Sequence, residues 1–125
     1  MFTSYFAKTK KLLDLGHKNL VAISGWCPDF YLKQMTTDSR LSRCIDLAPK
    51  KEWFFKWKNG EFDNEKFVEL YRETVLEKID LEMIKNLKDD AVLICYEKPG
   101  DFCHRHVLAD YLKEKFNIVV EEIEC

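Results

Sequence analysis

Glycine and proline are scarce in this chain, at 4 and 3 of 125 residues, and neither sign of charge dominates. There is no Gly-x-Gly-x-x-Gly turn and no Walker loop, so the common glycine-rich phosphate cradles are excluded. With 20 Lys+Arg against 22 Asp+Glu, the net charge is -2. That balance excludes a generally basic nucleic-acid coat and leaves room for a local basic site. No apolar run approaches the roughly 20 residues that cross a bilayer, so no membrane partner is expected. The start, MFTSYFAKTKKLL, holds no apolar stretch of signal-peptide length.

Cysteine is present but unpatterned. Cys27, Cys44, Cys95, Cys103 and Cys125 are odd in number and scattered, with no Cys-x-x-Cys. A disulfide framework fits such spacing poorly, and a reduced cytoplasmic setting is expected. The chain is 46% hydrophobic, which is ordinary for a globular protein and argues against disorder. Residues 1–125 read as one domain, with no repeat, linker or low-complexity segment. A chain of this length buries roughly two-thirds of its unfolded surface.

Strand patterns fall at Met1–Ala7, Leu20–Ser24, Arg43–Leu47, Ala91–Tyr96 and Ile118–Ile123. Lys8–Leu15 reads as a helix closed by Gly16, and a loop holding Pro28 follows Ser24-Gly25. Lys51–Lys58 repeats aromatics at helical spacing. Asp63 caps a longer helix with Phe67, Leu70, Tyr71, Thr74, Val75 and Ile79 on one stripe. Asp80 caps another, and Asp101 is expected to cap a helix from Phe102 to Lys115. Helices between most strands predict an α/β, Rossmann-like three-layer domain with a mainly parallel sheet of about five strands.

Ligands of open parallel sheets bind beyond the carboxyl ends of the strands. Two segments stand there. Ser24-Gly25 follows an early strand, and Gly25 permits close approach of backbone to a ligand. The segment CYEKPGDFCHRH, Cys95 to His106, holds two of the five Cys and two of the three His. Its second half begins a helix, where free N–H groups and the helix dipole favour an anion. Arg105 and Lys98 are candidates to bind phosphate or carboxylate. The same position lowers the pKa of a thiol, which marks Cys103. Glu97 is a candidate base, nucleophile or orienting partner of Arg105. His104 reads equally as a catalytic residue or a hydrogen-bonded structural one. Cys95 reads as a buried small hydrophobe.

Other motifs are weaker. Arg stands at the wrong offset from both Cys95 and Cys103 for a cysteine-phosphatase loop. A zinc site of Cys95, Cys103, His104 and His106 is disfavoured, because the two histidines point apart on a helix. No metal and no cofactor are therefore expected. KKEWFFKWK either stacks single-stranded bases between lysines or forms an ordinary core stripe.

The run Leu93-Ile94-Cys95-Tyr96-Glu97 followed by Cys103-His104-Arg105 resembles the L-C-x-E … C-H-R signature of the domain of unknown function family 488. Leu108-Ala109 follows at the family's offset, and Leu47-Ala48-Pro49 and Phe67–Tyr71 are similar to further family features. The resemblance implies a compact Rossmann-like fold from bacteria, archaea or their viruses. It groups Glu97, Cys103, His104 and Arg105 as one set, and it supplies no reaction. The chain departs from many members in carrying Ser24-Gly25-Trp26 where an Asp-x-Arg often stands.

Three readings follow. In the first, Arg105, Lys98, Ser24 and Gly25 bind a nucleotide or nucleic-acid end, and Glu97, Cys103 and His104 act in its transfer or hydrolysis. In the second, Cys-His-Arg is structural in a non-catalytic binding or regulatory module. In the third, Cys103 carries a thiol-based activity.

Overall fold

The computed structural model describes residues 1–97 and 100–124. Among these, five strands form one sheet in the order β3-β2-β4-β1-β5, and every pairing is parallel. The strands are β1 (Phe2–Tyr5), β2 (Leu20–Ala22), β3 (Leu41–Arg43), β4 (Val92–Cys95) and β5 (Glu121–Glu122). The helices are α1 (Thr9–Asp14), α2 (Asp29–Met35), α3 (Lys51–Lys58), α4 (Asn64–Thr74), α5 (Leu81–Leu87) and α6 (His104–Phe116).

The central strands are apolar because both their faces are covered. Leu20, Ala22, Val92 and Ile94 meet Phe6, Leu12 and Tyr31, on the side of α1 and α2. Val21, Ile23, Leu93 and Cys95 meet Trp53, Phe67, Tyr71, Ile84 and Leu108, on the side of α3 to α6. Three layers result, the α/β class read from the sequence. The chain leaves β2 toward α2 on one face and leaves β4 toward α6 on the other. A crevice therefore opens between the carboxyl ends of these neighbouring strands.

Local chemistry explains most boundaries. Asp63 and Asp80 accept hydrogen bonds from Lys66 N and Met83 N, the expected N-caps of α4 and α5. Gly16 closes the first helix with φ +96°, a conformation that suits glycine. The third strand lies at Leu41–Arg43, earlier than the expected Arg43–Leu47, because Ile45–Leu47 coils into a 3₁₀ turn. Tyr31 fixes this edge, its hydroxyl donating to Leu20 O at 3.1 Å and Ser42 O at 2.7 Å. Helix α2 was hidden from pattern reading, since only Tyr31 on it is buried while Phe30 and Leu32 are exposed. Cys103, not Asp101, occupies the N-cap position of α6.

One buried hydrogen bond ties the helical layer to the crevice. The Tyr71 hydroxyl on α4 donates to Leu47 O at 2.6 Å, beside Ala48-Pro49. Tyr71→Phe leaves that carbonyl unpaired, and the expected loss in urea unfolding is about 1–2 kcal/mol. An unchanged midpoint would show that the bond does not anchor the segment.

Candidate functional site

The three residues Cys103, His104 and Arg105 begin α6, and each reaches a different part of the sheet. Successive helical residues are rotated about 100° apart, so the motif fans out. Cys103 meets Cys95 at the end of β4, and the structure joins them as a disulfide with Cα atoms 7.5 Å apart. This departs from Cys103 as a free candidate thiol. Cys27 and Cys44 are free among the described residues.

His104 turns toward β2. Its Nε2 lies 2.6 Å from Ile23 O. A carbonyl only accepts, so Nε2 carries the proton and Nδ1 keeps the lone pair in the neutral ring. That Nδ1 stands 3.9 Å from Cys103 Sγ. The Tyr71 ring meets the imidazole edge-on at 5.5 Å. Burial lowers its pKa to about 4, against a partial rise from the Ile23 hydrogen bond, so the ring is neutral at pH 7.

Arg105 is fully buried, at 0% exposure. Its Nε and Nη2 donate to the two carboxylate oxygens of Glu122 at 3.0 and 2.9 Å, a bidentate pair. Its Nη1 donates to Cys95 Sγ at 3.0 Å and to the backbone carbonyl of Glu97. The guanidinium also stands over the Tyr5 ring, 5.8 Å from its centroid. Arg105 thus joins α6 to β5, β1 and the loop after β4. Expected as an anion ligand, it is turned inward, and the polar atoms around it belong to the protein.

Glu122 is the partner that sequence reasoning misses, since the motif itself points to Glu97 for that role. The parallel register sets Thr3 opposite Glu122, and Thr3 Oγ1 donates to Glu122 Oε1 at 2.6 Å. A carboxylate in the last short strand, EE in an otherwise apolar IVVEEI, was the available signal.

The crevice itself is a narrow cleft lined by Ser24, Gly25, Trp26, Pro49, Phe54, Tyr96, Glu97 and His104. Ser24 and Gly25, expected at a ligand, line it from β2, and Glu97 lines it from β4. Cys103 and Arg105 lie behind the wall. Lys98 lies outside the described residues. The aromatic lining was not anticipated: Trp26 and Tyr96 are 43% and 47% exposed. The Lys51 ammonium stands 5.0 Å over the Trp26 ring. Lys58 Nζ lies 3.5 Å from Glu97 Oε1. A second shallow cleft shares Gly25 and Pro49 with the first and carries Lys50 and Lys51. The aromatic segment is therefore divided: Trp53 packs in the core, while Phe54 faces the cleft.

Among the described residues, one set has the composition of a metal site. The ligating atoms of Cys95, Cys103 and His104 all lie within 4.8 Å of one another, and all three residues are buried.

The Arg105–Glu122 pair gives a pH-dependent prediction. Burial raises the Glu122 pKa, but hydrogen bonds from Arg105 and Thr3 and the Arg105 charge outweigh it, leaving the pKa below 4.5. A depressed carboxylate contributes stability that is present above the unfolded pKa and lost as pH falls through the folded one. Glu122→Gln is expected to lower stability at pH 7 by about 1–3 kcal/mol and to flatten the acid limb below pH 4.5. Parallel acid limbs for variant and wild type would contradict this.

No curated protein and no solved structure matches the chain. A family model does: DUF488-N3a, described as the active DUF488-N3 subclade, matches residues 31–116. The matched span includes Glu97, Cys103, His104 and Arg105 and begins after Ser24 and Gly25. With the family model covering most of the chain, including the whole Cys-His-Arg motif and its strand, this protein belongs to the DUF488 family.

Proposed function

We propose that the cleft between β2 and β4 binds a nucleotide or a nucleic-acid end and that the protein processes it by transfer or hydrolysis. The observation that carries this reading is an aromatic cleft next to a second, shallow cleft that carries Lys50 and Lys51 together with Glu52. Trp26, Phe54 and Tyr96 offer ring faces and edges to a planar base. Lys50 and Lys51 stand on the adjoining shelf, where α3 begins without a side-chain cap. Its free N–H groups and the two ammonium groups favour a phosphate there.

Glu97 is the carboxylate that lines this cleft. In the proposed reaction it takes the proton of the attacking water or hydroxyl. Arg105 acts on it indirectly, holding the Glu97 carbonyl and so fixing the loop. Arg105 is thus a positioning residue, and the anion is assigned to the lysine shelf. The description of the subclade as active agrees with an enzymatic role.

A second reading has its own observation. Arg105 is fully buried and engaged by Glu122, Cys95 and Glu97. That supports Cys-His-Arg as the framework of a non-catalytic binding module.

Calorimetry with nucleoside monophosphates, triphosphates and short oligonucleotides tests both readings. Binding is expected, and Trp26→Ala is expected to weaken it about tenfold, the loss of roughly one stacked ring. Glu97→Gln is expected to keep binding while abolishing turnover. Binding without any turnover by the wild type would favour the module. No binding at millimolar concentration would overturn the nucleotide reading, and a stable, folded Arg105→Ala protein would count against the framework reading.

A further inference from the structure

We propose that Cys95, Cys103 and His104, with the two cysteines reduced, form a zinc site behind the cleft wall. This proposal is independent of the nucleotide reading. It begins from the meeting of Cys95 with the adjacent pair Cys103-His104: all three ligating atoms lie within 4.8 Å of one another, the two sulfurs being the disulfide partners. Cys95 ends β4, Cys103 stands at the N-cap of α6, and His104 is the next residue.

Each donor is prepared by its surroundings. His104 gives its Nε2 proton to Ile23 O, which leaves the Nδ1 lone pair on the side of Cys103 Sγ. A histidine that ligates through one nitrogen and donates from the other to a backbone carbonyl is the usual support for a metal ligand. Arg105 Nη1 donates to Cys95 Sγ at 3.0 Å, a contact that suits a thiolate. The Cα atoms of the two cysteines are 7.5 Å apart. That exceeds the roughly 4.4–6.8 Å usual for disulfide partners. Two thiolates on one tetrahedral zinc have sulfurs about 3.8 Å apart, from Zn–S bonds of about 2.3 Å.

Charge and burial select the ion. Cys95, Cys103 and His104 are 0%, 2% and 5% exposed. Two thiolates, one neutral imidazole and Zn²⁺ make a neutral unit, which a dry site tolerates far better than a free thiolate. The Arg105 charge is already balanced by Glu122. Two sulfurs and one nitrogen are a borderline-soft set that fits zinc. Three protein donors leave a fourth position for water, as in catalytic zinc sites. Both His104 and Glu97 line the cleft in front.

The steps balance. The disulfide takes up two electrons and two protons from a dithiol, which becomes the oxidised partner, and yields two thiols. Zinc then displaces both thiol protons and binds the two thiolates and His104 Nδ1. The sequence disfavours a four-residue set in which His106 joins Cys95, Cys103 and His104; the set seen here leaves His106 out, and the fourth position falls to water.

The test uses the full chain, reduced with a phosphine and freed of metal by a chelator. Zinc is titrated against a chromophoric chelator, and cobalt(II) is added in a parallel sample. One zinc per chain is expected, together with a thiolate-to-cobalt charge-transfer band and intense tetrahedral d–d bands. Cys95→Ser and Cys103→Ser are expected to abolish stoichiometric binding, while Cys44→Ser retains it. Failure of the reduced wild type to take up zinc would overturn the proposal. So would a cobalt spectrum without thiolate charge transfer, or full zinc uptake by Cys103→Ser. The cobalt spectrum of the wild type decides the matter even if a cysteine variant fails to fold.

Discussion

The structure depends on one buried charge. Arg105 has no exposure to water, and its guanidinium is satisfied by Glu122, Cys95 and the Glu97 carbonyl. A guanidinium cannot shed its proton at any accessible pH, so burial commits the fold to supplying all of these partners. Those partners come from β5, the end of β4 and the loop behind it. The first turn of α6 is thereby locked to the sheet at the point where the strands end. His104 adds a second tie, to β2, and Cys103 a third, to β4.

These ties shape the crevice. The strand connections would leave an opening between β2 and β4 in any sheet of this order. Here the start of α6 seals its back, so the cleft is walled by Trp26, Phe54 and Tyr96 in front of a rigid polar layer. The site thus separates into an accessible part and a buried part. Glu97 belongs to both: its carboxylate side faces the cleft and Lys58, while its carbonyl is held by Arg105. Buried charged networks fix geometry at some cost in stability, an arrangement that suits a positioned carboxylate.

Much of this was legible in the sequence. The short apolar runs LVAIS and AVLICY marked two strands that formed, and the caps Asp63 and Asp80 marked helices that formed as expected. Ser24, Gly25, Glu97 and His104 do meet at one cleft. The inward turn of Arg105 was not legible, because its partner Glu122 is distant in the chain and reaches it only through the β1–β5 register. The pairing of Cys95 with Cys103 likewise depends on where α6 begins, and that start came two residues later than the Asp101 cap predicted. Helix α2 lacked an apolar stripe, since Tyr31 alone on it is buried. For Arg105 the missing information was a long-range contact; for the cysteine pair it was a helix start, and for α2 a face that stays largely exposed.

The most direct measurement is a double-mutant cycle in denaturant on Arg105→Ala and Glu122→Ala. Breaking a buried, hydrogen-bonded ion pair costs about 3–5 kcal/mol, so Arg105→Ala should lose that much or fail to fold. The double variant should lose clearly less than the sum of the singles, by about 1 kcal/mol or more. Additive effects, with Arg105→Ala within about 0.5 kcal/mol of wild type, would show that the fold and its cleft do not depend on this charge.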